Sequence, residues 1–144
     1  MHKDHQGVEE YLECIYKIEE EGLRPKTKEI AKRLGVKQGS VTEMLVKLKD
    51  EGFVVYERYH GVVLTKRGTE TGRALTRKHR ILEVFLHDTL WVEKQMVHPE
   101  ACRLEHALSD EVETKMIKFL KKPALCPDDG KPIPYADQRP IGSA

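Results

Sequence analysis

The apolar side chains of this chain recur every three or four positions, and the first three of these segments each end at a glycine. The pattern breaks once, into two short runs of strand-forming residues. Val8, Tyr11, Leu12, Ile15 and Ile18 share a helical face that stops at Gly22. After a loop with Pro25, Thr27 is a candidate N-cap for a short helix from Lys28 to Leu34. Gly35 can take the turn, and a helix over 38–51 then faces Val41, Met44, Leu45 and Leu48 inward before Gly52. Phe53-Val54-Val55-Tyr56 favours a strand, Tyr59-His60-Gly61 can turn, and Val62-Val63-Leu64 returns as the second strand of a hairpin. Two helices around a tight turn, followed by a hairpin, are the order of a winged helix-turn-helix. A helical bundle with an incidental hairpin is the alternative.

The second half reads as helix throughout. Thr65 opens a long helix over 66–90, with a stripe through Leu75, Leu82, Leu86 and Leu90. A further helix over 94–108 carries Val97, Ala101, Leu104 and Leu108 on one face. Ser109 caps a last helix whose first turn holds Asp110, Glu111 and Glu113, where the helix dipole favours acids. Pro123 stops it. Residues 124–144 are proline-rich and loop-like, with Cys126 and Asp128-Asp129 as turn residues. The expected fold is mainly α: an N-terminal winged helix-turn-helix over residues 1–72, then an all-helical domain over 73–144.

Composition excludes several classes. With 39% hydrophobic residues and a net charge of +1, the chain has enough apolar content for a core and too little charge for disorder. The longest unbroken apolar run is residues 53–56, far short of a membrane span. Met1-His2-Lys3-Asp4-His5 lacks the apolar stretch of a signal peptide. Three cysteines with no close pair suit a reducing compartment, so a soluble cytoplasmic protein without a membrane partner is expected.

The small net charge conceals an asymmetry. Residues 22–80 hold eight lysines and seven arginines against six acids, a net of +9. Residues 1–21 carry −5 (two lysines, seven acids) and residues 81–144 carry −3 (eight bases, eleven acids). A basic block between acidic ones suits a polyanion-binding module, although a solvated basic face would look the same. The second helix of the motif begins Lys37-Gln38-Gly39-Ser40-Val41-Thr42-Glu43. Small polar side chains such as Ser40 and Thr42 let its positive end approach phosphates. Lys28, Lys37, Lys47 and Lys49 surround it and would neutralise them, while Arg58 and His60 sit at the hairpin tip.

The helix over 94–108 carries a second kind of signal. His98, Cys102, Glu105 and His106 fall within an arc of about 100° beside the apolar face. Cys102, Glu105 and His106 lie within a turn of each other and can converge on one ion. His98 is about 12 Å along the axis from His106, too far to share bonds of about 2 Å. A second site is therefore implied, for which the preceding long helix offers His79 and Glu83 one turn apart, with His87 extending the row. A cysteine here could instead be a buried hydrophobe, and a lone His/Glu pair a surface hydrogen bond.

These residues together resemble the diphtheria-toxin-repressor family of metal-dependent transcriptional repressors, with its iron-responsive and manganese-responsive branches. The resemblance lies in Glu10-Tyr11-Leu12 with Ile15-Tyr16, Glu19-Glu20-Glu21-Gly22, Arg77-Lys78-His79-Arg80, and the run from His98-Pro99-Glu100-Ala101-Cys102 through His106. It extends to Ser109-Asp110-Glu111-Val112-Glu113 and Gly130-Lys131-Pro132-Ile133-Pro134. It implies a homodimer that binds a palindromic double-stranded operator when loaded with Fe2+ or Mn2+, with Co2+, Ni2+ or Zn2+ substituting in vitro. It implies one site of Cys102, Glu105 and His106 with Glu10 from the first helix, and another of His79, Glu83 and His98. Departures make the first site a hybrid. Glu10 stands where the iron branch has Met, Cys102 stands where the manganese branch has an acid, and Glu13 matches a manganese-branch ligand. Glu43 replaces a recognition-helix Gln, so no operator sequence carries over. Iron-branch members often add a C-terminal β-barrel domain, for which this chain is too short. The expectation is a metal-activated repressor of metal-homeostasis genes, iron-dependent in preference to manganese-dependent, and not an enzyme acting on a small-molecule substrate. A metallohydrolase would use similar donors, but no nucleophile motif or glycine-rich loop accompanies them.

Overall fold

The computed structural model describes residues 2–136 and divides into two compact units between Arg73 and Ala74. The first unit contains α1 (His2–Glu20), α2 (Thr27–Leu34), α3 (Gln38–Asp50), β1 (Val54–Glu57), β2 (Gly61–Leu64) and the start of α4 (Lys66–Val84). The strands pair antiparallel from Val54↔Leu64 to Glu57↔Gly61, which is the wing. Gly35 adopts φ 66° and its N–H closes α2 onto the Ala31 carbonyl, so the turn into α3 needs a residue without a Cβ penalty. One apolar cluster holds the unit together, with Leu12, Ile15, Ile18, Ile30, Val41, Leu45, Leu48 and Val62 all fully buried. The wing is pinned at its base: Val62 N–H donates to the Pro25 carbonyl at 3.1 Å, and Leu64 N–H to Glu19 Oε1 at 3.0 Å. Gly72 on α4 lets that helix approach α1, since a Cβ there would lie 2.8 Å from Tyr16 Cβ and 2.9 Å from the Leu12 carbonyl oxygen.

The second unit continues α4 through a π-turn at Phe85–Thr89 into α5 (Lys94–Leu104), a 3-10 turn at Glu105–Ala107 and α6 (Asp110–Phe119). Two small apolar clusters form there. Leu82, Leu86, Val97 and Ala101 make one, and Ile81, Val84, Ile133 and Tyr135 make the other. Ser109 accepts the Val112 N–H at 3.2 Å, the expected cap. The Arg77 guanidinium forks onto the buried Glu113 carboxylate, both contacts at 3.2 Å. Among the described residues no helix is long and apolar enough to cross a membrane.

Four local expectations change. Thr27 is the first helical residue of α2 rather than its cap, and Lys26 at the cap position contributes no side-chain bond. The helix expected over 94–108 ends at Leu104, because Ser109 can cap α6 only from an extended backbone and Leu108 before it is already extended (ψ 116°). A 3-10 turn fills the gap, and Leu104 is left exposed. Leu90 leaves the stripe of Leu82 and Leu86, since the π-turn bonds Leu90 N–H to the Phe85 carbonyl and shifts the helical phase. The last helix ends at Phe119, before Pro123, with Lys121 and Lys122 in left-handed conformations.

Candidate metal centre

α4 and α5 supply most of the donors. Buried His79 and Glu83 stand one turn apart on α4, with His79 Nε2 2.6 Å from Glu83 Oε1. His98 and Cys102 stand one turn apart on α5, with Cys102 Sγ 3.6 Å from His98 Nε2. The two rows meet at His79. Its Nε2 lies 3.1 Å from His98 Nδ1, while its Nδ1 lies 3.9 Å from Cys102 Sγ and 3.4 Å from Glu105 Oε2. The two rings pack edge to face with centroids 4.7 Å apart. Each imidazole thus turns one nitrogen toward Glu83 and the other toward Cys102.

Donors of both expected sets come together around His79. Cys102 gathers with His79 and His98, their donor atoms all within 4.8 Å of one another. Glu105 lies with His79 and with His106, whose Nε2 is 3.6 Å from Glu105 Oε1. The cause is local: Glu105 and His106 sit on the 3-10 turn, where residues advance about 120° rather than 100°. His87 takes no part; it is exposed and 2.6 Å from Asp88. Asp128, read from sequence as a turn residue, comes to the centre, with its carboxylate, Glu83 and His98 all within 4.8 Å. The Pro/Gly loop gave no signal beyond an acid, because only the fold carries that loop to α4. On α1, Glu10 is exposed, while Glu13 is buried and pairs with Lys17 at 2.9 Å.

The electrostatics suit a cation. Burial pushes the Cys102 thiol up, but hydrogen bonds to His79 and His98 and the charge of those rings outweigh it and hold the thiol at about 6. His98 is pushed up in turn, first by its hydrogen bond to Cys102. Glu83 Oε2 is buried with no hydrogen-bond partner among the described residues, an arrangement that is costly unless something positive meets it. Ligands about 2 Å from one ion lie roughly 3–4 Å apart, which is the range of the contacts around His98. Nitrogen, sulfur and carboxylate donors of this kind hold first-row divalent metals. Cys126 is different in character: burial pushes its thiol up to about 11, and it accepts the Asp128 N–H as a packing residue.

The other candidate surface is on the first unit. Lys28, Lys37, Ser40 and Lys47 are exposed around α3. Thr42 is half-buried, and its hydroxyl donates back to the Gln38 carbonyl at 3.1 Å. Nothing crowds Gly39, so the start of α3 is open to a ligand. At the wing tip Tyr59 is 87% exposed, with the Arg58 guanidinium 5.2 Å above its ring.

Both halves match one family in sequence. Residues 5–62 match the N-terminal DNA-binding domain of iron-dependent repressors, and residues 65–135 match their metal-binding and dimerisation domain. The chain belongs to the iron-dependent repressor family. This is a family of metal-dependent transcriptional repressors rather than enzymes, with iron and manganese regulators among its members. The chain is 42% identical over 118 residues to an uncharacterised helix-turn-helix transcriptional regulator of Methanocaldococcus jannaschii, covering 81% of this chain and 94% of that one. It is 38% identical over 137 residues to the diphtheria toxin repressor of Corynebacterium diphtheriae, covering 95% of this chain but 60% of that protein. A manganese-dependent transcriptional repressor solved with manganese is 35% identical and superposes with a TM-score of 0.83, over 92% of this chain and 60% of that one. The chain therefore spans about three fifths of those two longer repressors.

Proposed function

We propose that this family member represses metal-homeostasis genes when loaded with divalent metal, with Fe2+ preferred, by binding a palindromic operator as a homodimer in the cytoplasm. The observation that carries the reading is the Cys102 sulfur set 3.9 Å from His79 Nδ1 and 3.6 Å from His98 Nε2, the donor atoms of all three lying within 4.8 Å of one another. A thiolate is a softer donor than a carboxylate and favours iron over manganese. Manganese is the second reading, supported by the acids Glu10 and Glu13 on α1 and by the manganese-dependent relative.

Cys102, Glu105 and His106 with Glu10 would hold one ion, and His79, Glu83 and His98 another, with Glu13 as a further candidate. A bound ion supplies positive charge that neutralises these donors. Glu10 precedes Tyr11 and Leu12, which are buried in the core of the DNA-binding unit. Fixing the Glu10 carboxylate would therefore restrain the unit that carries α3. Lys28, Lys37, Ser40, Thr42 and Lys47 are assigned to the operator contact. Exposed Trp91, Leu90 and Phe119 supply apolar surface for dimerisation of the second unit.

The test is anaerobic selection of DNA from a randomised pool by the Fe2+-loaded protein, followed by gel shift with Fe2+, Mn2+ or chelator. A shift that requires metal supports the reading. A metal-independent shift would make the helical half inert, and no shift at all with any of these metals would contradict the reading.

A further inference from the structure

We infer that Asp128 is a metal ligand that completes the His79, Glu83 and His98 set from outside α4 and α5. The inference rests on the metal-centre reading above and adds to it a residue and a charge balance. Its carboxylate lies with the donor atoms of Glu83 and His98 in a group whose members are all within 4.8 Å. Glu83 supplies the independent observation: its side chain is 3% exposed, and Oε2, which is 4.0 Å from His98 Nδ1, lacks a hydrogen-bond partner among the described residues.

Asp128 is held in place by a structured loop. Cys126 N–H donates to the Lys131 carbonyl at 2.9 Å, Gly130 N–H to the Cys126 carbonyl at 3.0 Å, and Asp128 N–H to Cys126 Sγ at 3.4 Å. Leu125 and Pro132 form a bridge that closes the loop. The loop is fastened to the helix that carries Glu83. Ile133 and Tyr135 pack on Ile81 and Val84, and Arg80 donates to the Pro132 carbonyl at 2.7 Å. Residues on both sides of Glu83 thus hold the loop that delivers Asp128.

The charges explain why a second carboxylate belongs there. Two neutral imidazoles and one carboxylate leave a divalent ion with an excess of +1, costly beside a buried site. Asp128 brings the set to neutrality with two nitrogen and two oxygen donors, suited to a first-row divalent ion. Being exposed, it also leaves the ion a path from solvent.

The test is Co2+ titration of the full chain, read by visible and near-ultraviolet absorption. The wild type should bind two equivalents, one with a thiolate charge-transfer band from Cys102 and one without. Asp128→Asn should weaken the equivalent that lacks the band on the order of tenfold or more and leave the thiolate band intact. Asp129→Asn, in the same loop, should change neither, and Asp128→Glu, which restores both a donor and its charge, should recover much of the lost affinity. Wild-type affinity for both equivalents in Asp128→Asn would overturn the inference, as would equal weakening by Asp129→Asn. A wild-type chain that takes up no Co2+ would overturn the metal-centre reading itself, and this inference with it.

Discussion

The two units bury different things. The first closes over one apolar cluster, and its buried acid Glu13 is matched by Lys17. The second divides its apolar residues between two small clusters and buries His79, Arg80, Glu83, Glu105 and Glu113 among them. Hydrophobic burial alone can hold the first unit in one state. The second has like-charged donors facing one another, and its stability depends on what neutralises them. Under the proposed function, one unit is a platform and the other a responsive element.

That contrast breaks most visibly in stability. Leu48→Ala in the first unit should cost about 2–5 kcal/mol, whether metal is present or not. Denaturant unfolding with and without chelator checks this, and a metal-dependent cost would blur the contrast. Metal at a hundredfold excess over its Kd should stabilise the second unit by about 2.7 kcal/mol. Hydrogen exchange resolved by segment should show protection gained across α4 and α5 and little gained in the wing. Uniform protection of both units would contradict the division.

Function sharpens it further. Glu10→Ala should keep the dimer and measurable metal binding yet lose most metal-dependent operator binding, a coupling of about 1–3 kcal/mol. Glu13→Ala should do less. Full metal-dependent binding by Glu10→Ala would remove the restraint mechanism while leaving the ligands in the second unit standing.

Acidity gives a smaller effect with a definite sign. With its thiol lowered to about 6, Cys102 is already a thiolate at neutral pH, so metal displaces no proton from it there. Affinity should begin to fall as pH drops toward the ordinary imidazole value of 6.5, because protons compete first for His98, itself pushed up, and should fall further below about 6 as they compete for Cys102. The thiolate–Co2+ band followed against pH checks it. A loss already complete at pH 7 would mean an ordinary thiol. Smallest of all, Lys37→Ala should weaken binding to every DNA sequence alike and flatten the salt slope by about one.

Much of the platform is legible in the sequence, because helical spacing reports burial directly. Val8, Tyr11, Leu12, Ile15 and Ile18 are all buried, and Val41, Leu45 and Leu48 follow the same rule. The donor types of the responsive element are also legible. Their close approach around His79 is not, since spacing assumes one continuous α-helix and Glu105 and His106 lie on a tighter turn. Leu90 was misplaced for the related reason that a π-turn precedes it. The place of Asp128 beside Glu83 and His98 was invisible because it depends on Ile133 packing against Ile81, a contact between distant parts of the chain.

Coupling between platform and responsive element has one thermodynamic signature. If metal tightens operator binding by some factor, operator must tighten metal binding by the same factor. Metal affinity should therefore be measured by competition with a chromogenic chelator, in the absence and presence of saturating operator. The expected result is a gain between about fivefold and 150-fold, equal to the gain in operator affinity caused by metal. Identical metal affinities with and without operator would contradict metal-activated repression.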